Sequence, residues 1–201
     1  MRMRRLQIML VACVIATLSG CGWLYESEAD SGSDLSGQEL YVEEFEAENE
    51  QGETVTNEDL EGTYWMASMV FTRCPSVCNT MTPNMSSLQA ELEEREADIQ
   101  FVSFTVDPSF DTPERLHEYG EAYHADFETW DFLTGYSDEW ISDFAEASFQ
   151  SVVQEDPEAN DIIHATSFFL VNEKGQVVHT FDGMDTDTEG YAGDVEAIVE
   201  D

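Results

Sequence analysis

Apolar positions are gathered into blocks whose lengths and spacings differ. Tyr64 to Phe71 (YWMASMVF) and Ile99 to Val106 (IQFVSFTV) are near-continuous apolar runs. Runs of that length with no polar face predict strands covered on both sides. Between them Met81, Met85, Leu88 and Leu92 recur at helical spacing and predict a helix over 79–96. Asp107-Pro108 stops the second strand, and Asp111 or Thr112 can cap a helix with Pro113 in its first turn, running to about His124. Trp130 to Leu133 and Ser167 to Val171 predict short strands, and Asp138 to Ala147 a helix. Asn172 to Gly175 reads as a turn into Gln176 to Phe181, and Thr188 to Glu200 as the last helix. Upstream, Glu39 to Phe45 and Thr54 to Thr56 predict a hairpin, followed by one helical turn over 57–60. Strands alternating with helices imply an α/β architecture.

Composition narrows the picture. The chain has 201 residues, with 44 Asp and Glu against 7 Lys and Arg, a formal net charge of -37. Nucleic-acid binding is excluded, because phosphates are held by clustered cations. Lys174 is the single lysine and the acids are spread over the whole sequence, which points to adaptation to concentrated salt, where self-repulsion is screened.

The N-terminus carries an address. Arg2, Arg4 and Arg5 precede an apolar run from Leu6 to Leu18, which ends in Leu18-Ser19-Gly20-Cys21. The run is short for a membrane span. The pattern resembles a bacterial lipoprotein signal over 1–20, cleaved so that Cys21 becomes the acylated N-terminus. Residues 21–38 are rich in Ser, Gly and acids and read as a lipid-anchored flexible acidic tether, leaving 39–201 as the globular domain. The domain is then expected on the extracytoplasmic face of the cell membrane.

Of four cysteines, Cys13 leaves with the signal and Cys21 is taken by lipid, so the domain keeps Cys74 and Cys78. A bridge between them would close a very short loop and gain little stability, which favours chemistry over structure. They lie where a buried strand gives way to a helix, and a helix N-terminus favours thiolates. This pattern predicts a thioredoxin-like fold, with an N-terminal β-hairpin and an inserted hairpin or loop carrying His164. Arg73 adds a cation beside the pair. The spacing is Cys-x-x-x-Cys, whereas a thioredoxin-type redox motif has Cys-x-x-Cys. Two thiolates on one helical turn can close a disulfide or share a soft metal ion, which then wants a further ligand. His117, His124 and His179 fall in an amphipathic helix or a hairpin and read as structural or solvated. His164 sits in a loop entering the strand Ser167–Val171, which such a fold brings against the cysteines. Met81 and Met85 are soft donors on a helix face and read as core. A peroxidase-type Thr-x-x-Cys loop is missing, since Phe71 and Pro75 stand three residues before the two cysteines.

Three separated motifs carry a resemblance. Phe71-Thr72-Arg73-Cys74-Pro75-Ser76-Val77-Cys78, Phe104-Thr105-Val106-Asp107-Pro108 with Asp111-Thr112-Pro113, and His164-Ala165-Thr166-Ser167 appear in an order similar to that of the Sco/SenC family. The resemblance covers about 39–201. It implies a copper protein that assembles the copper A centre of cytochrome c oxidase, with Cys74, Cys78 and His164 as ligands to Cu(I) or Cu(II). It also implies a site-proximal role for Asp107, as weak ligand, neighbour of the ligands or fold element. The expected partners are the oxidase subunit bearing copper A, the membrane through Cys21, and a protein that reduces the thiols. The alternative is a thiol–disulfide reductase that keeps the oxidase cysteines reduced. His164 separates the two, because metal binding requires it and dithiol exchange does not.

Overall fold

The computed structural model describes residues 32–159 and 161–200. The expected signal over 1–20, Cys21 and the tether as far as residue 31 lie outside the described residues. Among those described, no helix is long and apolar enough to cross a membrane.

The centre is a six-stranded sheet. Strands β4 (Tyr64–Val70), β5 (Ile99–Thr105) and β6 (Trp130–Leu133) run parallel, and β9 (Ser167–Val171) pairs antiparallel with β4. Strand β10 (Val177–Asp182) continues as the hairpin partner of β9, and β1 (Gly32–Asp34) pairs with β10, giving the order β1-β10-β9-β4-β5-β6. The segment 32–38, read from sequence as the end of the tether, thus includes an edge strand. Such a strand has no apolar pattern of its own to announce it, since its bonds run through the backbone.

Period-2 alternation sorts the buried strands into two cores. Trp65, Ala67 and Met69 face one side with Val102, Phe104 and Val171, while Met66 and Val70 face the other with Phe101, Leu170 and Phe132. The second face is covered by α1 (Cys78–Glu94), α2 (Pro113–Ala122) and α4 (Thr188–Val199), through Met81, Met85, Leu88, Leu116, Tyr119 and Tyr191. The first is covered by α3 (Asp138–Phe149) and the N-terminal hairpin, through Ile141, Phe144, Phe45 and Val55. Met81 and Met85, each 1% exposed, belong to the core, as their helical spacing implied.

The N-terminal hairpin pairs β2 (Glu46–Glu48) with β3 (Thr54–Thr56), rather than 39–45 with 54–56. The turn decides this. The Asn49 side chain accepts the amides of Gln51 and Glu53, and Gly52 takes φ +80°, so pairing starts directly beside the turn. The expected single helical turn forms over Asn57–Leu60. A third short hairpin, β7 (Gln154–Asp156) with β8 (Asp161–Ile163), is inserted between α3 and β9 and ends at His164.

Candidate metal centre

The cysteine loop leaves the C-terminal end of β4, in the middle of the sheet. Here the connection turns to β5 and β6 on one side while β9 occupies the other, the place where open α/β sheets hold ligands. Cys78 opens α1, and no side chain caps that helix. Its backbone amide instead points at Cys74 Sγ, 3.4 Å away, so the helix end donates to sulfur. Cys74 is half-buried and Cys78 is buried, and neither forms a disulfide.

His164 is brought in by β8. Its Nε2 lies 3.7 Å from Cys78 Sγ, and Phe71 meets its ring edge-on at 5.9 Å. Its Nδ1 is 2.8 Å from the Ala165 carbonyl oxygen. A carbonyl only accepts, so Nδ1 carries a proton, and in the neutral imidazole Nε2 then offers its lone pair toward the thiols. One ligand atom from each of Cys74, Cys78 and His164 lies within 4.8 Å of the others. The structure thus brings together the three side chains that the sequence singled out. Two thiols and an imidazole are a soft, three-donor set of the kind that suits copper.

The thiols are unequal. Hydrogen bonding from Cys78, with the amides of Cys78 and Ser76, outweighs burial and holds Cys74 well below the usual thiol range. The bond to Cys74 and burial push Cys78 up. Cys74 is the thiolate of the pair.

Asp107 does not join the three donors. Buried at 5% exposure, its carboxylate takes the Nε–H of Arg73, the residue before Cys74. The sequence reading missed the part played by Asp111. This carboxylate, 1% exposed, accepts from the Thr72 amide at 3.0 Å, the Thr72 hydroxyl at 2.5 Å and the Thr105 hydroxyl at 2.5 Å. It ties the cysteine loop to the end of β5, while Thr112 takes the capping role at α2. Burial raises its pKa despite these bonds. A second tie was also missed: Ser76 donates to Asp161 Oδ2 at 2.8 Å and links the loop to the hairpin that carries His164. In the sequence Asp111 stood out as a capping candidate and as part of the Asp-Thr-Pro motif, neither of which announces its bonds to Thr72 and Thr105.

The other histidines lie elsewhere. His117 stacks on Phe127 at 4.8 Å, His124 follows the end of α2 at φ 61°, and His179 packs beside Phe181 on β10.

Comparison with known proteins agrees with this geometry. The SCO1/SenC family model matches residues 33–200. A SCO1/SenC family lipoprotein from Bacillus anthracis is 37% identical, with 84% of this chain and 98% of that one covered, at a TM-score of 0.77. BsSco, described as a member of the Sco family of cytochrome c oxidase assembly proteins and as having a disulfide switch, is 36% identical over 84% and 96% of the two chains, at 0.74. The ScoI protein of Bradyrhizobium japonicum, solved with copper bound, shares the fold at 22% identity, over 78% and 98%, at 0.67. With its motifs in order, its sheet and its cysteine–histidine cluster in place, the chain belongs to the SCO1/SenC family.

Proposed function

We propose that this chain is a copper-binding assembly factor for the copper A centre of cytochrome c oxidase, holding copper through Cys74, Cys78 and His164. The observation that carries the reading is the convergence of two thiols and an imidazole lone pair, within 4.8 Å, at the carboxyl end of the sheet. Zinc fits less well, since structural zinc takes four protein ligands and the group offers three. The relatives point the same way: BsSco is described as belonging to a family of oxidase assembly proteins, and a Sco protein of this fold has been solved with copper bound. Bound there, copper is the cargo. The chain's part is to present Cys74 as thiolate, turn His164 Nε2 toward the thiols through the Nδ1 bond to Ala165, and set the loop through Asp111 and Ser76.

We also read residues 1–20 as a lipoprotein signal, cleaved so that Cys21 is acylated, which would keep the domain beside a membrane-bound oxidase. The Leu-Ser-Gly-Cys sequence supports this, as does the description of the Bacillus anthracis relative as a lipoprotein.

One observation favours a second use of the site. A depressed thiol beside a raised, buried one is the asymmetry of a dithiol reductant. The Cys74 thiolate would attack a partner disulfide and Cys78 would resolve the mixed disulfide. Two electrons then pass to the partner, which leaves as a dithiol, and the chain keeps a Cys74–Cys78 disulfide.

The test is to titrate the reduced full chain with Cu(II), in detergent and high salt without oxygen, alongside His164→Ala. One equivalent bound with an intense thiolate-to-copper charge-transfer band, weakened in the variant, supports the copper reading. No band, rapid loss of both thiols and an unchanged variant would transfer the function to the dithiol.

A further inference from the structure

The few cations of this acidic chain are unevenly placed. Beyond the N-terminal three, the sequence holds only Arg73, Arg95, Arg115 and Lys174. Arg95 is matched by Glu196 at 3.0 Å, with both side chains partly exposed. Arg73 and Arg115 meet instead on one aromatic ring: their guanidinium carbons stand 4.6 and 3.9 Å from the centroid of Phe110.

Charge is layered at this point. The acids beneath, Asp107 and Asp111, are 5% and 1% exposed, whereas the Arg73 side chain is 50% exposed and Arg115 is exposed. Arg115 donates to the Phe110 carbonyl at 2.5 Å and, among the described residues, forms no ion pair. In a chain with 44 acids, an exposed guanidinium that meets none of them is being held away from them by the ring and that carbonyl. Its remaining N–H groups are a planar fork open to a carboxylate from outside. The stack adjoins the metal site, because Arg73 precedes Cys74 and Phe110 precedes the Asp111 that anchors Thr72.

We propose that Arg73, Phe110 and Arg115 form a docking point for an acidic segment of the protein that exchanges metal or electrons with Cys74 and Cys78. The inference rests on the functional reading above and adds the partner's chemistry: carboxylates close to its own cysteines. The remaining surface repels such a partner at low ionic strength. At about 1 M salt the Debye length falls to roughly 3 Å, so contact pairs persist while long-range repulsion is screened. The stack then fixes orientation, since seating a carboxylate on it brings the neighbouring partner residues to the mouth of the site. An anionic lipid headgroup has similar charge. The position beside Cys74 favours a protein, because only a protein brings thiols or a metal site to be served there.

The probe is a pair of synthetic peptides, one with a single Cys flanked on each side by two Glu, the other with Gln in place of Glu. The full chain is prepared in neutral detergent with Cys74 and Cys78 oxidised by diamide. Thiol–disulfide exchange rates are then measured with both peptides in about 1 M KCl. Intrinsic differences between the peptides cancel when the Glu-to-Gln rate ratio is compared between chains. Arg115→Glu is expected to lower that ratio about fivefold, the upper range for an exposed ion pair, with the Gln rate unchanged. Arg115→Lys should keep most of it. An equal ratio in wild type and Arg115→Glu, or equal slowing of both peptides, overturns the proposal. So does an unchanged ratio with Arg115-dependent retention on phosphatidylglycerol vesicles, which assigns the stack to lipid. Cu(II) titration of reduced aliquots reads the site separately. A normal charge-transfer band with a flat peptide ratio removes the docking point alone, whereas its absence from wild type removes the copper reading.

Discussion

Replacing Asp111 by Ala tests how the fold holds the cysteine loop. The carboxylate is 1% exposed and accepts three hydrogen bonds from Thr72 and Thr105. Alanine leaves the Thr72 amide and the buried Thr105 hydroxyl without this acceptor, at about 1–3 kcal/mol each. The Thr72 hydroxyl is partly exposed and can take water instead. Removing a buried carboxylate returns part of the loss, so the net destabilisation expected is about 3 kcal/mol. With an m-value of roughly 2 kcal/mol/M, the urea midpoint falls by about 1.5 M. Asn at the same position behaves differently. Its oxygen can keep the bonds made by Oδ2, its amide can donate to the Thr72 hydroxyl, and no charge is buried, so the cost should stay near 1 kcal/mol. The pH dependence has a definite sign. Burial raises Asp111, so its contribution to stability is greatest below the unfolded carboxyl value and is lost as pH rises through the folded one. Asp111→Asn should therefore gain on wild type as pH rises through that window. Urea unfolding at several pH values, in high salt, measures both effects. A shift under about 0.5 M for Ala, or an Asn variant as damaged as Ala, would refute the argument that Asp111 anchors the loop.

Two further outcomes follow from local geometry. A Cβ at Gly120 would lie 2.6 Å from the Phe127 ring and 3.0 Å from Phe132, so Gly120→Ala should destabilise by about 1–2 kcal/mol in thermal unfolding, despite alanine's higher helix propensity; a stabilised variant would mean that the rings yield freely. Cys74 is the depressed, half-buried thiol and Cys78 the raised, buried one, so limiting iodoacetamide at pH 6 should label Cys74 first, read by peptide mass analysis. Equal labelling would contradict the assigned asymmetry.

What was legible in the sequence was whatever a short stretch decides alone. Strands β4 and β5 announce themselves because both faces are buried, so apolar residues fall on both faces of each. Helix α1 shows through Met81, Met85, Leu88 and Leu92, and the Cys pair marks the strand–helix junction. The hairpin register was not legible, because the Asn49–Gly52 turn sets it while the apolar pattern allowed a longer pairing. Strand β1 was hidden because its backbone bonds to β10 need no particular side chains.

The site divides in the same way. Its donors were visible by residue type, but what aligns them is not local. Asp111 reaches Thr72 across 39 positions, Ser76 reaches Asp161 across 85, and His164 meets Cys78 across 86. No periodicity encodes contacts of that span, because each depends on the fold bringing the ends of β4 and β5 and the separate β7–β8 hairpin together at the carboxyl end of the sheet. Placing β9 one strand further from β4 would leave every motif intact and add about 4.8 Å, the spacing of neighbouring strands, between the imidazole and the thiols. That added separation exceeds the 3.7 Å now between Cys78 Sγ and His164 Nε2, so the order of the sheet, as much as the donors themselves, makes three side chains a single metal-binding group.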